Sequence, residues 1–278
     1  MLLQKISMIP TMEKQISIHQ ITSITEMHEV EELQKIVWQV PDVEVVPNSQ
    51  LIAAVKAGGV LLGAFDGGKM VGFAYGFVSY ERGQMAHHSH MLAVLPEYRN
   101  YKLGEKLKRS QAEFVLQQQI TMMSWTFDPL QSLNAYFNFN KLGVVSNTYF
   151  VDFYGDDAPS FLHQNSPDRL WVFWHLNGEK PQPEVNLENV KRLVQLEKGE
   201  IPQTFDLTDE EYLAIEIPTD INKLQEENIE LAVEWRKATR KAFIEAFANG
   251  FQAKGFSRMK RDGQEYGVYL LHKVETRL

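Results

Sequence analysis

The sequence predicts an α/β (α+β) fold, with strands and helices interleaved along the chain. Three observations predict it. Stretches that alternate apolar and polar residues, the period of a strand, are interleaved with stretches whose apolar residues recur every three or four positions, the period of a helix. The turn Asp66-Gly67-Gly68-Lys69 separates two apolar runs, the pattern of a hairpin. A basic loop from Arg99 to Gly104 joins a strand-like run directly to a helix-like one.

Gln15 to Ile21 alternates and is expected as the first strand. Ser23 N-caps a helix that reaches about Gln39, with Met27, Val30, Leu33, Ile36 and Val37 on one face and Pro41 as its stop. Pro47-Asn48-Ser49 opens a short helix that Gly58-Gly59 closes. The hairpin follows, with arms Val60 to Phe65 and Met70 to Tyr80, and then a strand from Gln84 to Leu95. Leu103 to Gln119 reads as a helix and Ile120 to Phe127 as a strand ended by Asp128-Pro129. Leu133 to Leu142 is a helix closed by Gly143, and Asn147 to Tyr154 and Leu170 to Leu176 are two further strands. The polar segment 177–200, with Pro181 and Pro183, is expected as a linker. Beyond it come a strand (Tyr212 to Ile217), a long amphipathic helix (Ile229 to Ala248) and two strands (Phe251 to Met259, Tyr266 to Lys273). That strand–helix–strand–strand order copies residues 120–176, so the expected division is an extension over 1–14, a main domain over 15–176, the linker, and a C-terminal α+β segment over 201–278. The segment is either a degenerate half-domain or an unrelated extension.

Hydrophobic residues make up 44% and charged residues 23%, an ordinary globular balance that supports a packed core. The absence of cysteine removes disulfides, a thiol nucleophile and thiolate metal sites, and fits a reducing cytoplasm, the expected location. The first twelve residues are too short and interrupted for a signal peptide or a membrane span. A net charge of −8 argues against a nucleic-acid partner, and no membrane partner is expected. Lys102, Lys106, Lys108 and Arg109 form a local basic patch, most of it read as a solvated helix face.

A strand that feeds a loop whose N–H groups point out of a helix N-terminus is an anion cradle. The run Leu92-Ala93-Val94, then Arg99-Asn100-Tyr101-Lys102-Leu103-Gly104, has neither the Gly-x-Gly of a dinucleotide site nor the Gly-Lys-Ser/Thr of a P-loop. It resembles the pyrophosphate loop of the GNAT acyltransferases, whose pattern is Arg/Gln-x-x-Gly-x-Gly/Ala. The element order over about 15–176 is also that family's. The resemblance implies a mostly antiparallel, twisted sheet flanked by helices, and acetyl-CoA or another acyl-CoA, such as succinyl-CoA, as co-substrate without a metal. It implies that Leu92, Ala93 and Val94 offer backbone groups to the pantetheine arm. Arg99 through Glu105 would cradle the diphosphate, with Asn134 as a further cofactor contact. Lys102 departs from the pattern, standing where the family has its first glycine.

His88 and His90 lie two apart on the preceding strand, so they are expected on one face with Leu92 and Val94, with His87 opposite. The run His-x-His-x-Leu-Ala-Val resembles the arylalkylamine branch of the same family, in which paired histidines help remove the amine proton. His90 is the first choice of base, and His88 its partner or relay. In many members a tyrosine four residues before the helix-ending glycine protonates the leaving thiolate. Phe139 holds that place here, and Tyr136, one turn earlier, is expected to line the substrate side and to replace the missing acid only on a rotated or shifted helix. Asp128 is expected to bind a cationic acceptor, to orient His90 or to be a turn residue before proline, and Arg169 to bind an acceptor carboxylate or to form an ion pair. Trp171 and Phe173 share one face and read as core rather than as a substrate platform.

The expected function is N-acyl transfer from CoA to a small amine or amino acid by direct attack in a ternary complex, with a homodimer left open. The alternative is a non-catalytic acyl-CoA sensor on the same fold, or a scaffold in which the loop is vestigial.

Overall fold

The computed structural model describes residues 16–155, 167–178, 185–197 and 201–274; the expected extension over 1–14 lies outside them. β1 (Ile16–Gln20), β2 (Val60–Asp66), β3 (Lys69–Glu81) and β4 (Gln84–Val94) form an antiparallel meander. Helices α1 (Ile24–Trp38) and α2 (Asn48–Lys56) sit between β1 and β2 in the chain. The Ser23 side chain caps α1 by accepting from the Glu26 N–H, as its position predicts. Helix α3 (Leu103–Gln117) then leads to β5 (Met122–Phe127), which runs parallel to β4. A short α4 (Ser132–Tyr136) continues as a π-helical turn over Phe137–Leu142, and β6 (Val145–Phe150) and β7 (Arg169–His175) follow.

The linker expected over 177–200 is corrected by the structure. Residues Lys191–Leu196 form β8, which pairs parallel to β10 (Tyr212–Pro218), while the short β9 (Pro202–Thr204) covers its other edge. The flanking prolines and charges hid a six-residue strand whose inward side chains Leu193, Val194 and Leu196 are buried. Helices α5 (Ile221–Glu227) and α6 (Ile229–Ala248) precede the hairpin of β11 (Phe251–Arg261) and β12 (Gln264–Lys273). Three hairpins turn through two consecutive left-handed residues, Gly67-Gly68, Arg82-Gly83 and Asp262-Gly263, the backbone twist that two-residue loops favour.

All twelve strands among the described residues lie in one sheet, in the order β1-β2-β3-β4-β5-β7-β6-β11-β12-β10-β8-β9. From the centre outward the two halves repeat each other. The series β6, β7, β5, β4, β3 has the same sequence of parallel and antiparallel ladders as β11, β12, β10, β8, β9. They meet at a single antiparallel pair, Ser146 with Ala253. One hydrophobic core nevertheless runs through both, from Ile21 and Leu107 to Phe243 and Leu271. Buried pairs tie them: Arg236 of α6 holds both oxygens of Asp128 at 2.7 and 2.8 Å, and the Tyr269 hydroxyl donates to the Pro129 carbonyl at 2.6 Å. No described helix is long and apolar enough to cross a membrane.

Candidate active site

β4 and β5 are hydrogen-bonded neighbours only at His87–Met123 and His88–Ser124. From Ser89 to Val94 the outer edge of β4 has no β5 partner, so the two strands part and leave a gap floored by free backbone groups. The inner edge of the same stretch stays paired with β3, through Ala74–Leu92, Phe73–Ala93 and Gly72–Val94.

A bulge stands at the vertex of this gap. The register slips between Tyr75–Met91 and Phe77–His88, so that Gly76 alone opposes Ser89 and His90. Only glycine fits there, because a Cβ on Gly76 would lie 2.3 Å from His87 Nε2 and 2.5 Å from the His88 carbonyl oxygen. The bulge corrects the expected face of β4. His88 and His90 do share a side, with ring centroids 6.2 Å apart and Phe77 beside both. Leu92 and Val94 point the other way, toward Gly104 and Leu107 of α3, because the extra residue reverses the alternation. His87 lies on the α3 side as expected, its Nε2 3.2 Å from Gln111 Nε2.

His88 is the better supported of the two histidines. Its Nδ1 lies 3.0 Å from Ser124 Oγ, and that hydroxyl donates to Glu81 Oε1 at 2.5 Å. The other Glu81 oxygen accepts from the Trp171 indole N–H at 2.9 Å, and the Trp171 ring lies tilted against His88 with centroids 4.8 Å apart. Burial pushes His88 down to about 4, against the pull of Glu81, so the ring is neutral at physiological pH. Partial desolvation and the Arg169 guanidinium lower His90 as well, although its ring reaches solvent. Glu81 and Ser124 were not anticipated, and Trp171, expected as core, is half-buried beside His88. Glu81 sits at a hairpin end beside Arg82-Gly83, where a carboxylate reads as a turn residue.

The loop after β4 presents Arg99, Asn100, Tyr101 and Lys102 to solvent, while Tyr98 is buried with its hydroxyl on Asp66 at 2.7 Å. Lys102 takes the left-handed conformation (φ 55, ψ 26), the backbone shape a glycine would supply at the same place. No side chain caps α3. The first intrahelical bond is from Lys106 N–H to the Lys102 carbonyl, which leaves the N–H groups of Leu103, Gly104 and Glu105 directed out of the helix end. Their orientation and the helix dipole suit a diphosphate at this end of the gap. The residues therefore fit an acyl-CoA: an anion cradle, an unpaired strand edge and a neutral imidazole lie along one path.

The remaining residues named from the sequence take different places. Asp128 is corrected to an anchor, since Arg236 and the Leu130 N–H occupy its carboxylate. Tyr136 lies at the surface beside Lys141 and Arg258, 5.7 and 6.0 Å from its ring centroid, not beside the histidines. Asn134 is exposed on α4. Phe139 is buried between Phe127 and Tyr269. Arg169 stays at the histidine side: its Nε is buried without a hydrogen-bond partner among the described residues, and its guanidinium lies 5.1 Å from the Tyr154 ring centroid. Lys108, read as part of a solvated face, is buried. Among the described residues, no three His, Asp or Glu side chains are grouped to hold a metal.

Comparison with known proteins gives one family. The model of the acetyltransferase (GNAT) family matches residues 24–143. Solved structures that resemble the chain include the aminoglycoside 6'-N-acetyltransferase from Enterococcus faecium, at 15% identity over 60% of this chain and 99% of that one, with a TM-score of 0.45. Another is the IAA acetyltransferase from Bacillus cereus, at 14% identity over 58% of this chain and 100% of that one, with a TM-score of 0.45. No curated protein matches the sequence.

Proposed function

Residues 24–143 belong to the GNAT acetyltransferase family, and we propose from that premise that the chain moves an acetyl group from acetyl-CoA to a small primary amine, with His88 as the base. The observation that carries this is the His88–Ser124–Glu81 series at the vertex of the β4–β5 gap. The diphosphate rests on the N–H groups of Leu103 to Glu105 beside Arg99 and Lys102. The pantetheine arm runs back along the free edge of Leu92, Ala93 and Val94 as an added strand. This brings the thioester to the bulge, where an N–H group with no ladder partner on the β5 side holds the carbonyl oxygen as it becomes an oxyanion.

An amine at neutral pH is mostly ammonium and must lose a proton before it attacks. Neutral His88 accepts it, and Glu81, reached through Ser124, stabilises the imidazolium. His90 lacks that support and faces a guanidinium, so it lines the acceptor side instead. Arg169, with its unpaired buried Nε, gives that side an affinity for carboxylate, which favours an amino-acid-like acceptor. The sensor alternative has Phe139 in its favour, since the family's usual proton donor is missing.

The test is release of CoA, followed with a thiol reagent, from acetyl-CoA and succinyl-CoA against a panel of amines with and without a carboxylate. Turnover that Arg169→Ala weakens in amine KM for carboxylate-bearing amines alone supports the reading. Tight acetyl-CoA binding without turnover on any amine would establish the sensor.

A further inference from the structure

The transfer reaction proposed above gives no part to one buried cation at the edge of the gap. Lys108, on the second turn of α3, is buried at 3% exposure. Its Nζ donates to Ser89 Oγ at 2.6 Å and lies 3.8 Å from the centre of the Trp125 ring. Among the described residues no carboxylate pairs with it. An ammonium held in an interior by one hydroxyl and one ring is costly, and an apolar side chain of that length would pack there without the cost.

The position of that ammonium is specific. Ser89 and Trp125 are the residues that follow His88 and Ser124, the last hydrogen-bonded neighbours before β4 and β5 part. Lys108 Nζ therefore stands at the vertex of the gap. It stands on the α3 face, shown by the further bond from Ser89 Oγ to Gln111 Oε1 at 2.6 Å. His88, Ser124 and Glu81 occupy the opposite face. A pantetheine arm that starts at the N-terminus of α3 and follows β4 from Val94 back to Ser89 covers about 17 Å at strand spacing. It reaches the vertex from the α3 side, so its sulfur arrives next to Lys108 while its carbonyl carbon faces His88.

We propose that Lys108 is the proton donor to the departing thiolate of CoA, a catalytic role that rests on the acyl-transfer reading. The amine nitrogen forms its bond to the carbonyl carbon, the carbon–sulfur bond breaks, and its electron pair goes to sulfur, which takes a proton from the Lys108 ammonium. The acceptor, an ammonium at the outset, gives up two protons in all. One balances the proton delivered to sulfur and the other goes to solvent. Two further facts agree with this. The side chain at the family's acid position, Phe139, is apolar and packed against Phe127 and Tyr269. Burial also lowers Lys108 well below the usual lysine range, which makes the ammonium a readier donor.

The test compares the wild type with Lys108→Met and Lys108→Arg in kcat-against-pH profiles at saturating amine and acetyl-CoA, with CoA affinity measured by calorimetry. Proton donation predicts that Lys108→Met lowers kcat about 100-fold with CoA affinity unchanged, and removes an alkaline limb that the wild type shows. Lys108→Arg stays impaired, because a guanidinium does not release its proton. A merely structural lysine predicts an unchanged kcat in Lys108→Met, and that result would overturn the proposal. So would a loss confined to KM, or an acetyl adduct on Lys108 seen by mass spectrometry, which would make it a nucleophile. If Lys108→Met fails to fold, the wild-type profile decides alone, since a kcat that does not fall on the alkaline side excludes a lysine donor. A wild type that binds acetyl-CoA yet acylates no amine overturns the transfer reading itself, which is a separate outcome.

Discussion

The two halves of the sheet each contain a parallel pair flanked by antiparallel strands, β4–β5 in one and β8–β10 in the other, and they put it to opposite use. In the first half the pair opens beyond His88, and the face beside the opening carries neutral imidazoles. In the second, the strands are bridged by a charged plug. Glu216 of β10 is fully buried and accepts from the Leu196 N–H of β8 at 2.8 Å, from Arg192 at 2.7 Å and from Arg261 at 2.8 and 3.1 Å. Arg261 also donates to the Leu196 carbonyl at 2.6 Å. The backbone groups that would receive an extended ligand are thus satisfied by side chains. One arrangement of ladders serves as a slot or as a strut according to what fills the space between the parallel strands.

The comparison can be broken in several ways. The largest effect is expected for Glu216→Ala, which leaves Arg192 and Arg261 facing an empty position. A loss of about 4 kcal/mol in urea unfolding is expected, with acetyl-CoA still binding at one site per chain by calorimetry. Two sites would mean that the second pair is not a strut.

A pH series tests the first half. The folded pKa values of His87 and His88 are pushed to about 3 and about 4, below the ordinary 6.5 of the unfolded chain. Between those values the unfolded state binds the extra protons. Stability is therefore full above pH 6.5 and falls as pH drops toward 4, by about 3 kcal/mol for His88 alone. Urea midpoints measured from pH 7 to pH 4 check this. Glu216 acts in a lower window. Its hydrogen bonds to Arg261, Arg192 and Leu196 outweigh burial and hold it below 4.5, so its contribution is complete above that pH and fades only as pH falls further.

His88→Ala is expected to lower kcat about 100-fold, about 2.7 kcal/mol, and His90→Ala by less, both with acetyl-CoA affinity intact. An equal loss for both would return His90 to the role of base. At the loop, Lys102→Glu is expected to weaken acetyl-CoA about tenfold through repulsion of the diphosphate. Lys102→Gly, which relieves a left-handed side-chain-bearing residue, should raise stability by about 1 kcal/mol in thermal unfolding.

The fold of residues 16–150 was legible in the sequence because its signals are local. Ser23 before a helix, Gly67-Gly68 between two apolar arms and Gly143 after a helix each act within a few residues. What could not be read arises between distant segments. The bulge opposite Gly76 exists only once β3 and β4 are in register, and it alone decides that Leu92 and Val94 turn from the histidines. Glu81 and Ser124 lie 43 residues apart, and neither has a pattern of its own. Lys108 belongs to a run of basic residues on α3, and only the packing of that helix against Ser89 and Trp125 distinguishes it from Lys106, which stays in solvent. Asp128 looked free because its partner, Arg236, lies 108 residues further on.

The junction of β6 with β11 has a consequence for assembly. A sheet edge at β6 is an invitation to pair with another molecule, and a symmetric dimer would answer it with a second copy of the same edge. Here the answering strand comes from the same polypeptide, so the contact is made at fixed, intramolecular concentration. Closure of the wall that carries Trp171 and Arg169 then does not depend on how much protein is present, and dilution alone will not open it.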